Sequence, residues 1–265
     1  MEIKNIELIR EISLALFNDH QQKNGVFKIF PFSPEYTLPD GMVEGSNEHL
    51  IFITLTVSID YMRDAEKLWE QSRDAWLNFE TRWIFDPKQV IERKIESLIS
   101  LFKSIRDRRP IKDAEIWFTI CNKLLEFNGD VYSLLEKLKF DAVKISDYID
   151  EDKKDFPYLS GFKIKPLWLR MINDTAGIKL NRIEEIPIPI DVHTARMTLR
   201  LVFDEDFDGV ITQQLRERIQ TAWKLILKDT QIYPIQLDQP LWLLGKYKLL
   251  ERFMNEHNCR IVEQK

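Results

Sequence analysis

Apolar residues recur at intervals of three and four along most of this chain, and this spacing restricts the possible folds more than any other feature. Such spacing puts apolar side chains on one face of an α-helix. Within 60–79 it is carried by Tyr61, Ala65, Leu68, Trp69, Ser72, Trp76 and Phe79. The same periodicity predicts helices over 1–20, 90–102, 114–127, 131–138, 142–149, 164–175, 192–202, 210–228 and 240–256.

Capping residues mark several predicted helix ends. Asp86 followed by Pro87 is typical of a helix start, and Asp113 is predicted to open the helix after it. Asn128-Gly129 favours a left-handed end to that helix. The exception to the helical pattern is 24–49, which holds three prolines and three glycines and includes VFKIF, a candidate strand over 26–30.

The composition agrees with an all-α fold. Of the 265 residues, 44% are hydrophobic, which is ample for a core, and 8 glycines and 11 prolines are few for a β protein with many turns. One short strand cannot form a sheet alone. We therefore expect one all-α unit with at most a small β element near the N-terminus.

Cysteine content and charge limit the other features. Cys121 and Cys259 provide neither a disulfide framework nor a metal-binding or iron–sulfur pattern, so we expect an intracellular, reducing setting without a metal or cofactor. No apolar run approaches the roughly 18 residues of a membrane span. The net charge of −5 does not favour a nucleic-acid partner. Residues 153–200, however, hold nine basic and five acidic residues, a local excess of +4.

The segment 156–198 carries most of the functional information. Ser160 and Gly161 form a small-residue turn before Lys165, which begins an amphipathic helix, and an Ile-Pro-Ile-Pro-Ile stretch leads to Asp191. A lysine and an aspartate at two helix starts could act as a nucleophile and its electrostatic partner. Each alone is more often structural, because most lysines are solvated and an aspartate here is a typical N-cap. The N-cap role of Asp191 is compatible with a catalytic one.

The segment LSGFKIK (159–165) resembles the hairpin of the helix-hairpin-helix–GPD superfamily of DNA glycosylases. That hairpin reads hydrophobic-Pro-Gly-x-Gly-x-Lys in members that also cleave the strand, so Leu159, Gly161 and Lys165 match and Lys163 replaces the second glycine. The later IPIPIDVHTARMT resembles the family's Val-Asp-(Thr/Val)-His-Val-x-Arg segment. It is closer still to the Ile-Pro-Ile-Pro stretch of the archaeal 8-oxoguanine (GO) glycosylases.

Two further segments extend the resemblance over most of 50–250. TLTVSIDY resembles part of the family's early helix pair, where Ser58 would face the lesion. LDQPLW places Asp238 four residues before Trp242, on one helical face, and resembles the Asp and Trp that hold the base in archaeal GO glycosylases. The alternatives are that Trp242 belongs to a buried stripe with its neighbouring leucines and that Asp238 caps its helix.

The resemblance implies a bifunctional DNA glycosylase/AP lyase that excises 8-oxoguanine through a lysine Schiff base and β-elimination. It implies one catalytic domain over 1–265, divided into 50–152 and 1–49 with 153–265, with the hairpin at about 156–176. The implied partner is double-stranded DNA that contains a damaged base. The implied location of the protein is the cytoplasm, at the nucleoid. No cofactor, membrane or obligatory protein partner is implied. The implied site residues are catalytic Lys165 and Asp191, base-binding Ser58, Asp238 and Trp242, and backbone-binding Gly161, Lys163 and His193.

Two other functions stay open on the same scaffold. A monofunctional glycosylase would use Asp191 and water, with Lys165 contacting only phosphate. A non-catalytic DNA-binding or protein-interaction module is favoured by the negative net charge and by Lys163. Lys163 also leaves open which lysine reacts, although register with the motif favours Lys165. The connection over 173–186 must be a loop insertion for either enzyme.

Overall fold

The structure is a computed structural model that describes residues 3, 5–30, 32–105 and 107–257. These residues are helical and include no strand, which confirms the predicted all-α fold. In the described ranges the α-helices are α1 (Ile6–Gln22), α2 (Asn47–Ser58), α3 (Ala65–Leu77), α4 (Pro87–Ser104), α5 (Pro110–Leu124), α6 (Val131–Lys137), α7 (Ala142–Glu151), α8 (Ile164–Arg170), α9 (Val192–Thr198), α10 (Gln213–Ile226), α11 (Asp238–Tyr247) and α12 (Leu250–Glu256).

The predicted helices over 164–175, 192–202 and 240–256 are not regular α-helix throughout. Helix α8 continues into a π-helical turn, Met171–Thr175, and α9 continues into another, Leu199–Phe203. The helix predicted over 240–256 is two helices, because Lys248 adopts φ 56 and ends α11 in the left-handed conformation.

The strand predicted for 26–30 is wrong. Gly25–Lys28 form a 3-10 turn in which the Phe27 N–H donates to the carbonyl of Asn24 at 2.9 Å. Val26 and Phe27 are both fully buried, whereas a strand directs successive side chains to opposite faces. The turn buries Val26 and Phe27 together, and its backbone groups form hydrogen bonds within the turn. No partner strand is therefore needed.

The predicted caps are confirmed at two positions and wrong at a third. Asp86 caps α4, accepting from Lys88 N at 3.0 Å, and Asn128 ends the helical stretch after α5 with φ 59. Asp113 does not open α5, which begins three residues earlier at Pro110. Its carboxylate is instead fully buried and paired with Arg63 and Arg109. Arg63 is distant in the sequence, and no sequence pattern indicated either pair.

The chain divides into two units. Unit 1 is Met1–Ser33 with Ile186–Lys265, and unit 2 is Pro34–Glu185. The predicted division instead has its boundaries at 49/50 and 152/153. The hairpin and α8 lie in unit 2 because α8 packs on α2, where the Trp168 indole N–H donates to Thr54 Oγ1 at 2.9 Å.

Unit 2 is organised around α2. Every residue of α2 from His49 to Ser58 is buried, as expected of a helix that is apolar on all sides. Helices α3, α5, α6 and α8 all contact it. This packing holds the start of α8, and therefore Lys165, on the central helix of the unit.

Unit 1 has its own core, formed by α1 and the C-terminal helices. Its buried side chains include Leu16, Ile188, Trp223, Leu244 and Phe253. The Trp223 indole N–H donates to Thr198 Oγ1 at 3.0 Å, which ties α10 to the end of α9. The helix that begins after Asp191 is therefore held in place by its neighbours in the unit.

Two sequence expectations concern the chain as a whole. Within the described ranges no helix has the length and hydropathy needed to cross a membrane. Cys121 is a buried free thiol in α5, and Cys259 lies outside the described residues.

Candidate active site

A compact hairpin, residues 152–163, joins α7 to α8 in unit 2. Its backbone closes on itself through Ser160 N to the carbonyl of Phe156 at 3.0 Å and Gly161 N to the carbonyl of Tyr158 at 2.8 Å. Lys165 N then donates to the carbonyl of Gly161 at 2.9 Å, which joins the hairpin to the first turn of α8. Lys165 is thus positioned by backbone bonds of the hairpin itself.

Gly161 is required here by close packing of the backbone. A Cβ on this residue would lie 2.8 Å from the carbonyl oxygen of Tyr158. Lys163, which replaces the second glycine of the motif, has φ −89, a conformation open to any residue. The left-handed residue of the hairpin is Tyr158, with φ 62. The substitution by Lys163 therefore leaves the hairpin conformation accessible.

Ion pairs and hydrogen bonds hold the hairpin at three points. Lys123 of α5 contacts Asp152 at 2.9 Å and Asp155 at 3.7 Å. The Arg109 guanidinium donates to the Tyr158 hydroxyl at 3.3 Å, and Lys163 pairs with Asp60 at 3.1 Å. The contacts come from the two ends of α5 and from the residue two positions after α2, so the hairpin position depends on how these helices are packed.

Ser58 ends α2 two residues before Asp60, the partner of Lys163. Asp60 follows the end of α2 and binds Lys163, whereas Ser58, the last residue of α2, is fully buried. The Ser58 hydroxyl donates to the carbonyl of Leu55 at 2.7 Å. The base-binding role of Ser58 stays a prediction, and it requires this fully buried hydroxyl to become accessible to the base.

Lys165 is paired with a carboxylate rather than surrounded only by apolar groups. Its amine forms an ion pair with Asp150 of α7 and lies 3.5 Å from the carbonyl oxygen of Ser146. Its side chain is 13% exposed and that of Asp150 is 41% exposed. No pattern in the sequence indicates this acidic partner.

In unit 1, the Ile-Pro-Ile-Pro-Ile stretch carries the chain to Asp191. Residues before proline favour extended backbone, and in an extended chain alternate side chains share a face. Ile186, Ile188 and Ile190 are all buried accordingly. This buried stretch anchors the start of α9.

Asp191 is the N-cap of α9, as predicted. Its Oδ1 accepts from His193 N at 2.9 Å and from Thr194 N at 2.8 Å. Both bonds end on one oxygen, so the cap orients the carboxylate without engaging Oδ2. The cap and a catalytic role for the ionised group are compatible.

His193 and Trp242 lie together where α9 packs on α11. Their ring centroids are 5.8 Å apart in a T-shaped arrangement. Burial lowers the pKa of His193, and the Asp191 carboxylate opposes this shift. A phosphate contact by His193, which stays a prediction, would therefore come from a neutral imidazole that donates a hydrogen bond.

A glycine makes this helix contact possible. A Cβ on Gly245 of α11 would lie 2.9 Å from the His193 Cβ and 3.0 Å from the His193 carbonyl oxygen. Sequence reasoning missed Gly245. An isolated glycine within a helical pattern is a signal for this kind of close packing.

Asp238 and Trp242 both lie on α11. Asp238 is buried, and the N-cap of α11 is Leu237, so the alternative role of Asp238 as the cap is wrong. Leu241, Leu243 and Leu244 are fully buried, whereas Trp242 is only partly buried. Trp242 is therefore not simply one more member of the leucine stripe.

The structure thus groups the predicted site residues by unit. Asp191, His193, Asp238 and Trp242 belong to unit 1, with His193 joining α9 to α11 beside Trp242. Ser58, Gly161, Lys163 and Lys165 belong to unit 2. Asp60 and Asp150, which pair with the two lysines, had no signal in the sequence because no local pattern relates them to the hairpin.

Comparison with known families covers the segment from the hairpin tip to the C-terminus. Residues 162–265 match the family model AGOG, described as N-glycosylase/DNA lyase. This segment is similar to the AGOG family. AGOG is the archaeal GO glycosylase family of the helix-hairpin-helix–GPD superfamily, which confirms the resemblance. A comparison with curated proteins found no match.

The AGOG match assigns the chain a class of chemistry. It implies an enzyme with DNA N-glycosylase/lyase activity and DNA as its substrate. Two of the predicted site residues, Ser58 and Gly161, lie before the matched range. The other six lie inside it: Lys163, Lys165, Asp191, His193, Asp238 and Trp242.

Proposed function

We propose that this protein excises 8-oxoguanine from double-stranded DNA and cleaves the strand, with Lys165 as the nucleophile. The observation that carries the proposal is the position of Lys165. It lies on the first turn of α8, directly after a closed hairpin, within the segment that matches an N-glycosylase/DNA lyase family. A base inside a duplex cannot be reached without flipping its nucleotide out, at a cost of a few kcal/mol.

The reaction begins with attack of the neutral Lys165 amine on C1′ of the flipped nucleotide. The C1′–N bond to the base breaks, and Asp191 stabilises the positive charge that develops on the sugar. The C1′–O4′ bond of the sugar then opens as the nitrogen electron pair forms the C1′=N Schiff base, with a proton passing from nitrogen to O4′. Loss of a proton from C2′ then allows β-elimination, in which the C3′–O bond breaks and the 3′-phosphate leaves. Gly161, Lys163 and His193 contact the DNA backbone in this proposal, as backbone N–H groups and basic side chains do at helix starts.

Base selection is assigned to α11. Trp242 is partly buried, so it can stack on a flipped base, a contact worth about 1–3 kcal/mol. Asp238 lies four residues earlier on the same helical face and supplies a hydrogen-bond acceptor. 8-Oxoguanine carries an N7–H that guanine lacks, and an acceptor there discriminates between the two. Ser58 is the third predicted base contact.

Borohydride trapping on a duplex with one 8-oxoguanine tests the nucleophile. Reduction of the Schiff base leaves a covalent protein–DNA adduct. We expect the adduct with the wild-type chain and with Lys163→Ala, and none with Lys165→Ala. Loss of trapping in Lys163→Ala alone would show that Lys163 reacts. Base release without an adduct would identify a monofunctional enzyme, and no reaction on any lesion a non-catalytic module.

The charge of Asp191 is tested with Asp191→Asn. Asparagine caps helices about as well as aspartate, so α9 is retained while the negative charge is removed. We expect base excision to slow by roughly 10²- to 10³-fold, as when one group that stabilises transition-state charge is removed. An excision rate equal to that of the wild-type chain would contradict the assignment.

A further inference from the structure

The Lys165 amine is engaged by Asp150 before any substrate binds. Asp150 lies at the end of α7 and its Oδ2 pairs with Lys165 Nζ, which also lies 3.5 Å from the Ser146 carbonyl oxygen of the same helix. Both groups on α7 are acceptors, so together they hold a positively charged amine. The contact joins α7 to α8 across the hairpin.

The two side chains differ in their access to water. That of Lys165 is 13% exposed, whereas that of Asp150 is 41% exposed. Lys153 of the hairpin also lies near Asp150, at 3.9 Å from Oδ1, and is 65% exposed. Asp150 is therefore the more accessible partner of the pair, and it can exchange the amine for solvent.

We propose that Asp150 is a positioning residue that holds Lys165 as an ammonium ion in the free protein and must release it before the amine attacks. This inference rests on the proposed role of Lys165. An ionised carboxylate within hydrogen-bonding distance favours the charged form of an amine. When the pair opens, the proton leaves Nζ for solvent water and the electron pair stays on nitrogen for attack on C1′.

The pH dependence of trapping in Asp150→Asn tests this role. Asparagine is close in size to aspartate but removes the charge, so no ion pair has to open before attack and the acid limb of the trapping-rate profile moves to lower pH. We expect trapping near pH 6 to be several-fold faster than in the wild-type chain, because the amine no longer has to leave the Asp150 carboxylate before it attacks. Asp147→Asn, on the exposed face of α7, is the matched control and should leave the profile unchanged.

The inference is overturned if the acid limbs of Asp150→Asn and the wild-type chain coincide. It is equally overturned if Asp147→Asn moves the acid limb to lower pH by the same amount. Any negative charge on α7 would then account for the change. Absence of trapping in the wild-type chain would instead contradict the proposed function.

A second measurement needs no DNA and therefore separates these failures. Reductive methylation with formaldehyde and cyanoborohydride labels neutral amines, and peptide mass spectrometry reports each lysine. In the free protein at pH 7 we expect Lys165 to be labelled several-fold faster in Asp150→Asn than in the wild-type chain. Lys144, exposed on α7, is the internal reference and should be labelled equally in both. Equal labelling of Lys165 in both proteins would overturn the inference.

Discussion

At the residue scale, His49 is a fully buried histidine in the first turn of α2. Its Nδ1 accepts a hydrogen bond from Gly45 N at 3.1 Å, and its own backbone N–H donates to Ser46 at 3.2 Å. An acceptor nitrogen cannot carry a proton, so the neutral form is required by the contact. Burial lowers the pKa of His49 from 6.5 to about 4.

This shift predicts acid sensitivity of folding. The folded pKa lies below the unfolded one, so between pH 6.5 and about 4 the unfolded chain binds a proton that the folded chain does not. The contribution is fully present above pH 6.5 and is lost as the pH falls, by on the order of 3 kcal/mol in total. Urea unfolding of the wild-type chain at several pH values measures this loss.

His49→Asn is the comparison for this prediction. Asparagine places an acceptor oxygen near the position of Nδ1 and does not titrate. We expect the variant to be less stable at pH 7 but to lose less free energy of unfolding between pH 6.5 and about 4. Parallel pH profiles for the two proteins would contradict the role of His49.

At the element scale, the hairpin depends on a buried lysine. Lys123 is 7% exposed and contacts Glu126, Asp152 and Asp155 within 3.7 Å. Burial opposes its charge, but hydrogen bonds with Glu126 and Asp152 outweigh burial and raise the pKa of Lys123. The Asp152 carbonyl also accepts the backbone N–H groups of Asp155 and Phe156. The lysine therefore fixes the first turn of the hairpin.

Lys123→Met should loosen this turn. Methionine keeps the apolar stem but leaves the aspartates without their cation, and we expect about 1–2 kcal/mol of destabilisation. Hydrogen exchange of the Phe156, Ser160 and Gly161 amides should quicken, since local opening of the hairpin becomes easier. Lys112→Met, on the exposed face of α5, is the matched control and should leave these amides unchanged. Unaltered hairpin exchange in Lys123→Met would contradict the anchoring role.

The contact of α9 with α11 is the second feature at this scale. Gly245→Ala would place a methyl group 2.9 Å from the His193 Cβ and 3.1 Å from its Cα. These atoms cannot rotate away, so the helices must separate. Alanine favours a helix over glycine by about 1 kcal/mol, but overpacking typically costs about 1–3 kcal/mol.

We therefore expect Gly245→Ala to lower the free energy of unfolding by roughly 1–2 kcal/mol. It should also weaken excision, because His193 and Trp242 move with their helices. Lys224→Ala, on the exposed face of α10, is the control and should change stability by less than about 0.5 kcal/mol. Increased stability of Gly245→Ala would show that α9 and α11 separate without cost.

Both helices that begin near a candidate catalytic residue end in π-helical turns. These are Met171–Thr175 after α8 and Leu199–Phe203 after α9. Such turns are rare and occur often at functional sites. The 3.6-residue periodicity continues through both segments, so the sequence pattern predicts ordinary helix there.

At the scale of the whole molecule, charge is distributed unevenly. The chain carries −5 in total, yet residues 153–200 carry an excess of +4. These residues include the hairpin, Lys165 and Asp191. This segment of the chain is therefore basic although the protein is negative overall, and screening at physiological salt limits the reach of distant charges to about 8 Å.

The connection over 173–186 shows how the predicted insertion is held. Leu180 N donates to Asn173 Oδ1 at 3.0 Å, and Asn181 exchanges backbone bonds with Phe140 and Ala142 at 2.7 and 2.9 Å. The segment is mostly irregular, as the proposed enzyme requires, and it is tied to the start of α7. Such pairing between distant parts of the chain has no local sequence signal.

The sequence by itself determined the features that depend on neighbouring residues. Helical periodicity, the caps at Asp86 and Asp191 and the turn at Asn128 all arise from interactions within a few residues. The hairpin motif could be located for the same reason. The strand prediction for VFKIF is wrong because its composition permits either conformation, and only burial of both Val26 and Phe27 selects the turn.

The tertiary structure alone decided which partners the charged side chains take. Three ion pairs join residues that are 15 or more positions apart in the sequence: Asp113 with Arg63, Lys163 with Asp60, and Lys165 with Asp150. A lysine or an aspartate is compatible with many partners, and its choice depends on which helices the apolar core brings together. The candidate nucleophile can therefore be identified from its place in the hairpin, while the group that holds it emerges only from the packing of α7 against α8.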